Sequence, residues 1–295
     1  MQGILLTGVD NVESLVLQSY AKVNLALNVL GKRPVDGYHY VDMVMLPINL
    51  ADTVRVTLAE AIHVVCNPPV EGPPEANLAY KAAQLLKAET GYSGGALIEV
   101  DKVIPVAGGL AGGSTNAAAV LKGLNALWAT GLSDEALERL AVWLGADVPF
   151  FIKRRPARVQ GIGERLRPVP IGAPLWLVLA TPGVAKSTGN VYRLFDELPH
   201  VVRPDVDAME NALAGTDPLQ VAKKLGNVFE QVMLPRHPEI AALKTYMLQE
   251  GALGALMSGA GPTVFGLLPD EHVAHGLRRK LELLGYRAFA ASSIN

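Results

Sequence analysis

The segment Ile104-Pro-Val-Ala-Gly-Gly-Leu-Ala-Gly-Gly-Ser-Thr-Asn-Ala-Ala-Ala119 constrains this chain more than any other. Gly108, Gly109, Gly112 and Gly113 permit backbone conformations closed to other residues. The segment follows a strand-like run, Ala96–Val103, and precedes a helical run, Ala117–Trp128, introduced by Ser114, Thr115 and Asn116. A loop joining a strand to a helix is therefore predicted. Successive loop N–H groups can converge on an anion, and a helix start adds unpaired N–H groups and a positive dipole end. The hydroxyls of Ser114 and Thr115 can donate to phosphate or approach a metal. A flexible turn before an alanine-rich packing helix is the plainer alternative. No lysine follows Gly113, so this is not a Walker A loop, and the GxGxxG spacing of a dinucleotide fingerprint is absent.

At 295 residues, two domains sharing one interface are expected. Half the residues are hydrophobic and 18% are charged, enough apolar surface for a packed core. A net charge of -2, with both signs mixed along the chain, gives no broad field for nucleic acid or an anionic membrane, so a small-molecule partner is expected. Cys66 is the only cysteine, which excludes an intrachain disulfide and a zinc cluster of several thiolates and fits a reducing cytoplasm. The N-terminus shows no export pattern. The apolar run Gly172–Ala185 contains Pro174 and Pro182 and is too short to span a membrane, so it reads as a buried strand with turns.

From Leu15 to Val29 apolar residues fill most odd positions, while Gln18, Tyr20, Lys22, Asn24 and Asn28 take even ones, the pattern of a half-buried strand with Lys22 and Asn24 on its polar side. Asp36-Gly37 suggests a turn, and extended segments follow at Val41–Ile48, Thr53–Leu58 and Ile62–Cys66. Asn77 is placed to cap a helix running through Glu89, and Ser133-Asp134 to introduce another toward Leu144. Prolines and arginines between Arg165 and Ala173 interrupt periodic structure, which puts the domain boundary there, dividing the chain into 1–168 and 169–295. Beyond it the order is a strand at Leu175–Thr181, several short helices, a helix at Pro238–Glu250, strands at Leu253–Ser258 and Thr263–Leu268, a helix at Glu271–Leu284 and a last strand. Without its extra helices this is a βαββαβ pattern.

Three further groups of residues could carry chemistry. Met257-Ser-Gly-Ala-Gly-Pro-Thr-Val-Phe-Gly266 could bring backbone close to a ligand at Gly259 and Gly261, or could be a plain hairpin turn. Asp147, at a predicted helix end in an apolar run, reads either as a general base for a substrate hydroxyl or as an aspartate bonding nearby backbone. Asp36-Gly-Tyr-His39 offers an aromatic ring and an imidazole to a planar heterocycle, or forms a surface hairpin. The histidines never take HExxH spacing and no GxSxG elbow is present, which disfavours zinc hydrolysis and serine esterase chemistry.

With Ala21-Lys-Val-Asn24, the glycine-rich loop and Met257–Gly266 in order, the chain resembles the GHMP kinases from about Ser19 onward. The resemblance extends to Asp36–His39, Asn77-Leu78, Lys102–Pro105, Gly145–Phe151, Gly161–Glu164 and Asn227–Glu230. It implies an α+β, two-domain fold: an N-terminal ATP-binding domain like the second domain of ribosomal protein S5, a ferredoxin-like C-terminal domain, and an active site in the cleft between them. It also implies ATP-dependent phosphorylation of the 2-hydroxyl of a cytidine diphosphate methylerythritol intermediate of the non-mevalonate isoprenoid pathway. The alternatives are a kinase for another small alcohol and a ligand sensor without catalysis.

Carried over motif by motif, the resemblance makes Asp147 the base and Lys22 its electrostatic partner. Tyr38 and His39 would contact the cytosine, and Asn24 would flank the methylerythritol. Asn77, Lys102 and Pro105 would border the nucleotide, and Gly108, Gly109, Leu110, Ala111, Gly112, Gly113, Ser114 and Thr115 would wrap its phosphates, with Mg2+ held through the phosphates and not by a protein motif. The implied assembly is a monomer or weak homodimer. Tyr40 stands where the family usually has Glu, Asn116 where many members have Asp, and Lys153-Arg-Arg-Pro156 where a Gly-Gly-Thr type stretch is common.

Overall fold

The computed structural model describes residues 13–184 and 188–294. Most of the N-terminal stretch read as lacking an export signal, and Ala185 at the end of the apolar run, lie outside the described residues. Contacts divide the chain into two compact units: one takes the chain up to Ala21 with Ala51–Val106 and Ala111–Arg154, the other takes Lys22–Leu50, Ala107–Leu110 and the chain from Arg155 on. Strands β1 (Ser14–Lys32) and β2 (His39–Ala59) contribute to both.

The first unit adds β3 (His63–Asn67), α1 (Leu78–Thr90), β4 (Gly95–Asp101), α2 (Gly112–Leu127), α3 (Asp134–Ala141) and α4 (Val148–Lys153). β4 runs parallel to β3 and antiparallel to β2, from Thr53 opposite Asp101 to Ala59 opposite Gly95. Helix α2 packs on α1 and α4, burying Ala117, Ala118, Val120, Leu121 and Leu124. Asn77 caps α1, its Oδ1 accepting from the Ala79 N–H at 2.9 Å, and Ser133 caps α3 through Ala136, both as expected. Asn77→Ala should lower stability by about 1 kcal/mol, read as a drop of a few degrees in the melting temperature.

Three local expectations need correction here. β2 is one continuous strand from His39 to Ala59, where two separate extended segments were expected, and Asp52 between them is wholly buried. Helix α2 starts at Gly112, so Ser114, Thr115 and Asn116 lie inside its first turns and cap nothing; the residue before it, Ala111, is left-handed at φ 58° and gives no side-chain cap. α3 ends at Ala141, short of Leu144, and Asp147 precedes a new short helix, α4, instead of ending the earlier one.

The second unit contains β5 (Ala157–Gly161), β6 (Arg165–Pro168), β7 (Trp176–Thr181), α5 (Thr188–Asp196), α6 (Val206–Ala214), α7 (Pro218–Ala222), β8 (Gly226–Asn227), α8 (Glu230–Arg236), α9 (Pro238–Gln249), β9 (Gly254–Met257), β10 (Val264–Leu268), α10 (Glu271–Leu283) and β11 (Arg287–Ser292). β7, β9, β10 and β11 form an antiparallel-paired sheet in the order β11-β7-β10-β9, with α10 on β11 and β7 and α9 on β9 and β10. This is the ferredoxin-like arrangement that the βαββαβ pattern implies.

β5 and β6 went unread in the sequence because they are short and lie among prolines and arginines. Their arginines are partnered: Arg158 bonds both Asp42 oxygens at 2.8 and 2.6 Å and also Asp207, while Arg167 binds Glu210 bidentately at 2.7 and 2.6 Å. The Arg167 guanidinium, helped by Arg158 against partial burial, holds the Glu210 carboxyl below its ordinary range.

β1 is not half-buried. From Ala21 to Val29 every residue is buried, including Lys22 at 4% and Asn24 at 0% exposure, and β8 pairs with it in parallel at Ala26 and Leu27. Among the described residues no helix is long and apolar enough to cross a membrane.

Candidate active site

Burying a lysine requires that its ammonium be bonded. Lys22 Nζ donates to Asn24 Oδ1 at 2.6 Å, the two side chains meeting because residues two apart on a strand share a face, and to the Gly109 carbonyl at 3.2 Å. Asn24 in turn directs Nδ2 at Met43 Sδ, 3.2 Å away. The Ser258 hydroxyl donates to the same Gly109 oxygen at 3.0 Å, and the Lys22 N–H to the Leu110 carbonyl at 3.3 Å. Residues of three motifs separated in sequence, Lys22–Asn24, Gly108–Leu110 and Met257–Gly261, thus meet within the second unit.

The Met257–Gly266 segment is a hairpin between β9 and β10, with Gly259 at φ 55° and Gly261 at φ 78°. A Cβ on Gly259 would sit 2.9 Å from the Gly109 carbonyl and 3.3 Å from Lys22 Nζ, so only glycine allows this approach. Asn227 holds the hairpin from β8: its Nδ2 donates to the Met257 and Gly259 carbonyls at 2.8 and 2.7 Å, and its Oδ1 accepts from the Phe229 N–H. Glu230 accepts the Met257 N–H at 2.9 Å and pairs with Lys244.

Along the glycine-rich loop φ is positive at Ala107, Gly109 and Ala111, alternating with Gly108 and Leu110, where it is not. Alternation of this kind is compatible with an anion nest, in which successive N–H groups converge, and α2 begins immediately after it. Gly108, Leu110 and Pro105 are buried, Gly113 is exposed and Ser114 half-buried. Thr115 is buried and accepts from the Ser19 hydroxyl at 3.1 Å, so it faces the interior of its own unit.

In the first unit Lys102 pairs with the buried Asp52 and donates to Asn116 Oδ1 at 2.9 Å. Asn77 lies beside Cys66, donating to its sulfur at 3.4 Å, and burial pushes the Cys66 thiol up despite this bond. Asp147 stands at the N-cap position of α4, half-buried, with no side-chain cap to that helix. α4 is anchored by buried Phe150, Phe151 and Ile152, and Lys122 donates to the Ile152 carbonyl at 3.0 Å. Lys22 and Asp147 belong to different units. The unusual Lys153-Arg-Arg-Pro156 stretch closes α4: Arg154 is left-handed at φ 49° and lies over the Tyr20 ring, while Lys153 pairs with Glu135 and Glu138.

The Asp36-Gly37 turn forms as expected, Arg33 pairing with Asp36 and the Tyr38 N–H reaching Asp36 Oδ1. Tyr38 is 58% exposed. His39 is not a free surface residue: its Nε2 bonds Asp196 at 2.7 Å and its ring lies 4.8 Å from that of Tyr192. Burial, the largest influence on Asp196, opposes its ionisation, but Lys32 and His39 outweigh it and hold the carboxyl below its usual value. Asp52, Asp196, Tyr192 and the clamping role of Asn227 went unread in the sequence. Asp52 alone carried a local signal, a carboxylate inside an apolar strand.

Among the described residues no group of three His, Cys, Asp or Glu side chains could hold a metal ion. The profile described as "GHMP kinases N terminal domain" matches residues 77–155, and "GHMP kinases C terminal" matches residues 208–287. The 4-diphosphocytidyl-2-C-methyl-D-erythritol kinase of Symbiobacterium thermophilum is 56% identical over 94% of this chain and 99% of its own. That of Geobacillus thermodenitrificans is 45% identical over 90% and 93%. A crystal structure of 4-(cytidine 5'-diphospho)-2C-methyl-D-erythritol kinase superposes with a TM-score of 0.80 at 35% identity, covering 95% of this chain and 99% of that one. Homoserine kinase from Cytophaga hutchinsonii shares the fold, with a TM-score of 0.76 at 17% identity.

Proposed function

The chain belongs to the GHMP kinases and is an ATP-dependent kinase of a small molecule, and we propose that it phosphorylates the 2-hydroxyl of 4-diphosphocytidyl-2-C-methyl-D-erythritol. The observation that carries this reading is identity of 56% to a kinase of that name across nearly the whole of both chains. The reaction belongs to the non-mevalonate route to isoprenoid precursors, in the cytoplasm, and needs no more than a monomer or weak homodimer.

In this proposal Asp147 accepts the proton of the 2-hydroxyl as its oxygen attacks the γ-phosphorus, the bond to the β-phosphate oxygen breaks, and ADP leaves. Lys22 is the electrostatic partner of this base. Support for its readiness is the fixed ammonium, bonded to Asn24 and Gly109. Most of the rate enhancement then comes from alignment and from N–H groups of the Ala107–Ala111 nest and the α2 start facing the transferred charge. In this reading the magnesium ion is carried on the phosphates, and Ser114, half-buried in the first turn of α2, would supply a hydroxyl to it. Magnesium would neutralise phosphate charge there.

Tyr38 and His39 are proposed to take the cytosine. An exposed Tyr38 beside a His39 fixed by Asp196 suits a stacking ring next to an oriented imidazole. The test is a panel of acceptors, including mevalonate and homoserine, assayed for ADP release. Tyr38→Ala should reduce kcat/KM for the cytidine-containing acceptor by about fivefold to a hundredfold, the loss of roughly 1–3 kcal/mol of stacking, and leave ATP affinity unchanged. Equal use of mevalonate or homoserine would overturn the substrate, and nucleotide binding with no ADP release on any acceptor would support a sensor instead.

A further inference from the structure

A carboxylate cut off from water is stable only if its oxygens are saturated with donors. Asp52, at 0% exposure, meets that condition with four. Its Oδ1 accepts the N–H groups of Val103 and Ile104 at 2.7 and 2.8 Å; its Oδ2 accepts Asn116 Nδ2 at 2.9 Å and the Lys102 ammonium. Asn116 adds a second oxygen to Lys102 at 2.9 Å and passes the network on to Ser19 at 2.8 Å. Ser19 then bonds Thr115.

One side chain on β2 therefore ties together the residues just before the glycine-rich loop and the second turn of the helix just after it. The chain between them, Pro105–Ala111, is held at both ends. The same carboxylate fixes the Lys102 ammonium beside the first turn of α2, where a Cβ on Gly112 would lie 3.2 Å from Nζ. A cation held beside unpaired helix N–H groups adds to their attraction for an anion. The charge count is balanced as well: Asn116 leaves one carboxylate for one ammonium, where an aspartate at 116 would bring two carboxylates to it.

We propose that Asp52 is a positioning residue for the phosphate donor, holding Lys102 and the start of the glycine-rich loop in a single geometry. The proposal rests on the reading that Lys102 borders the nucleotide, and not on which alcohol is phosphorylated. Titration calorimetry with ATP tests it without any acceptor, so an error in the proposed acceptor leaves the test intact. Asp52→Asn keeps the shape and should raise the Kd for ATP roughly tenfold to a hundredfold, as expected for losing a charge-assisted bond. Binding of cytidine diphosphate to the acceptor site should change less than about twofold.

A purely structural role would lower the melting temperature and the fraction of binding-competent protein without moving the Kd. Asp52→Asn combined with Asn116→Asp restores one carboxylate, one amide and one ammonium, and should return the Kd to within about threefold of native. A folded Asp52→Asn protein with native ATP affinity, or a double variant no better than the single one, overturns the proposal. If Asp52→Asn does not fold, Asn116→Ala replaces it: a severalfold weaker Kd supports the positioning role, and a native Kd shows Asp52 to be structural only.

Discussion

Asp147→Asn is expected to lower kcat by about a hundredfold to ten-thousandfold, the usual range for losing a positioned general base, with melting temperature and ATP affinity close to native. The substitution keeps size and polarity and removes the negative charge and with it the capacity to take up a proton. Asp147 is half-buried and its side chain makes no cap hydrogen bond to α4. The helix itself is fixed by Phe150, Phe151 and Ile152 in the core, so the amide should occupy the place of the carboxylate. Turnover measured at saturating ATP and acceptor, beside a thermal melt, separates the two effects. Native turnover in a folded Asp147→Asn protein would remove this residue as the base.

Gly109→Ala should be the most damaging of the small substitutions in the loop. Gly109 has φ 82°, a left-handed conformation that costs an L-residue about 1–2 kcal/mol. Its Cβ would also run into the Ser258 carbonyl and come within 3.0 and 3.1 Å of Gly261 O and N, all of them backbone that cannot swing aside. Relief requires the loop and the hairpin to separate, which breaks the bonds from Lys22 and Ser258 to the Gly109 carbonyl. A loss of more than about 2 kcal/mol, hence at least roughly 4 °C in melting temperature, is expected, with activity falling by a larger factor than stability explains. Gly113→Ala is the contrast: it lies inside α2, its Cβ would meet only Leu78 Cδ1 at 3.6 Å, and melting should hold or rise.

Local chemistry made several elements legible. Asn77 and Ser133 announced helix starts because their side chains bond the N–H two or three residues on, and both do so. The strand, loop and helix around Gly108–Gly113 followed from glycine spacing, as did the ferredoxin-like strand order from the βαββαβ pattern. Misreadings arose where tertiary partners override a local preference. Ser114, Thr115 and Asn116 resemble caps, yet two of them bond Ser19, nearly a hundred residues earlier, from inside the helix. Lys22 resembles a solvated lysine until the Gly109 carbonyl, supplied by a distant loop, is seen to accept its hydrogen bond. The counter-charges of Asp52 and of the arginines of β5 and β6, namely Lys102, Asp42 and Glu210, lie far off in sequence, so these ion pairs were not legible locally.

The site was legible in composition and not in assembly. Motif resemblance identified Lys22, Asn24, the loop and Met257–Gly266, and the fold joins these at the Gly109 carbonyl. Nothing in the spacing announced Asn227 as the clamp of the hairpin or Asp196 as the partner of His39, since both contacts close across more than thirty and more than a hundred and fifty residues respectively.

The most direct test of the central claim is phosphorus NMR of the native protein incubated with ATP, magnesium and 4-diphosphocytidyl-2-C-methyl-D-erythritol. One new phosphate monoester resonance is expected, assigned to the 2-position of the methylerythritol and growing in step with ADP. ADP that forms at the same rate without the acceptor, or a monoester at a different hydroxyl, would contradict it.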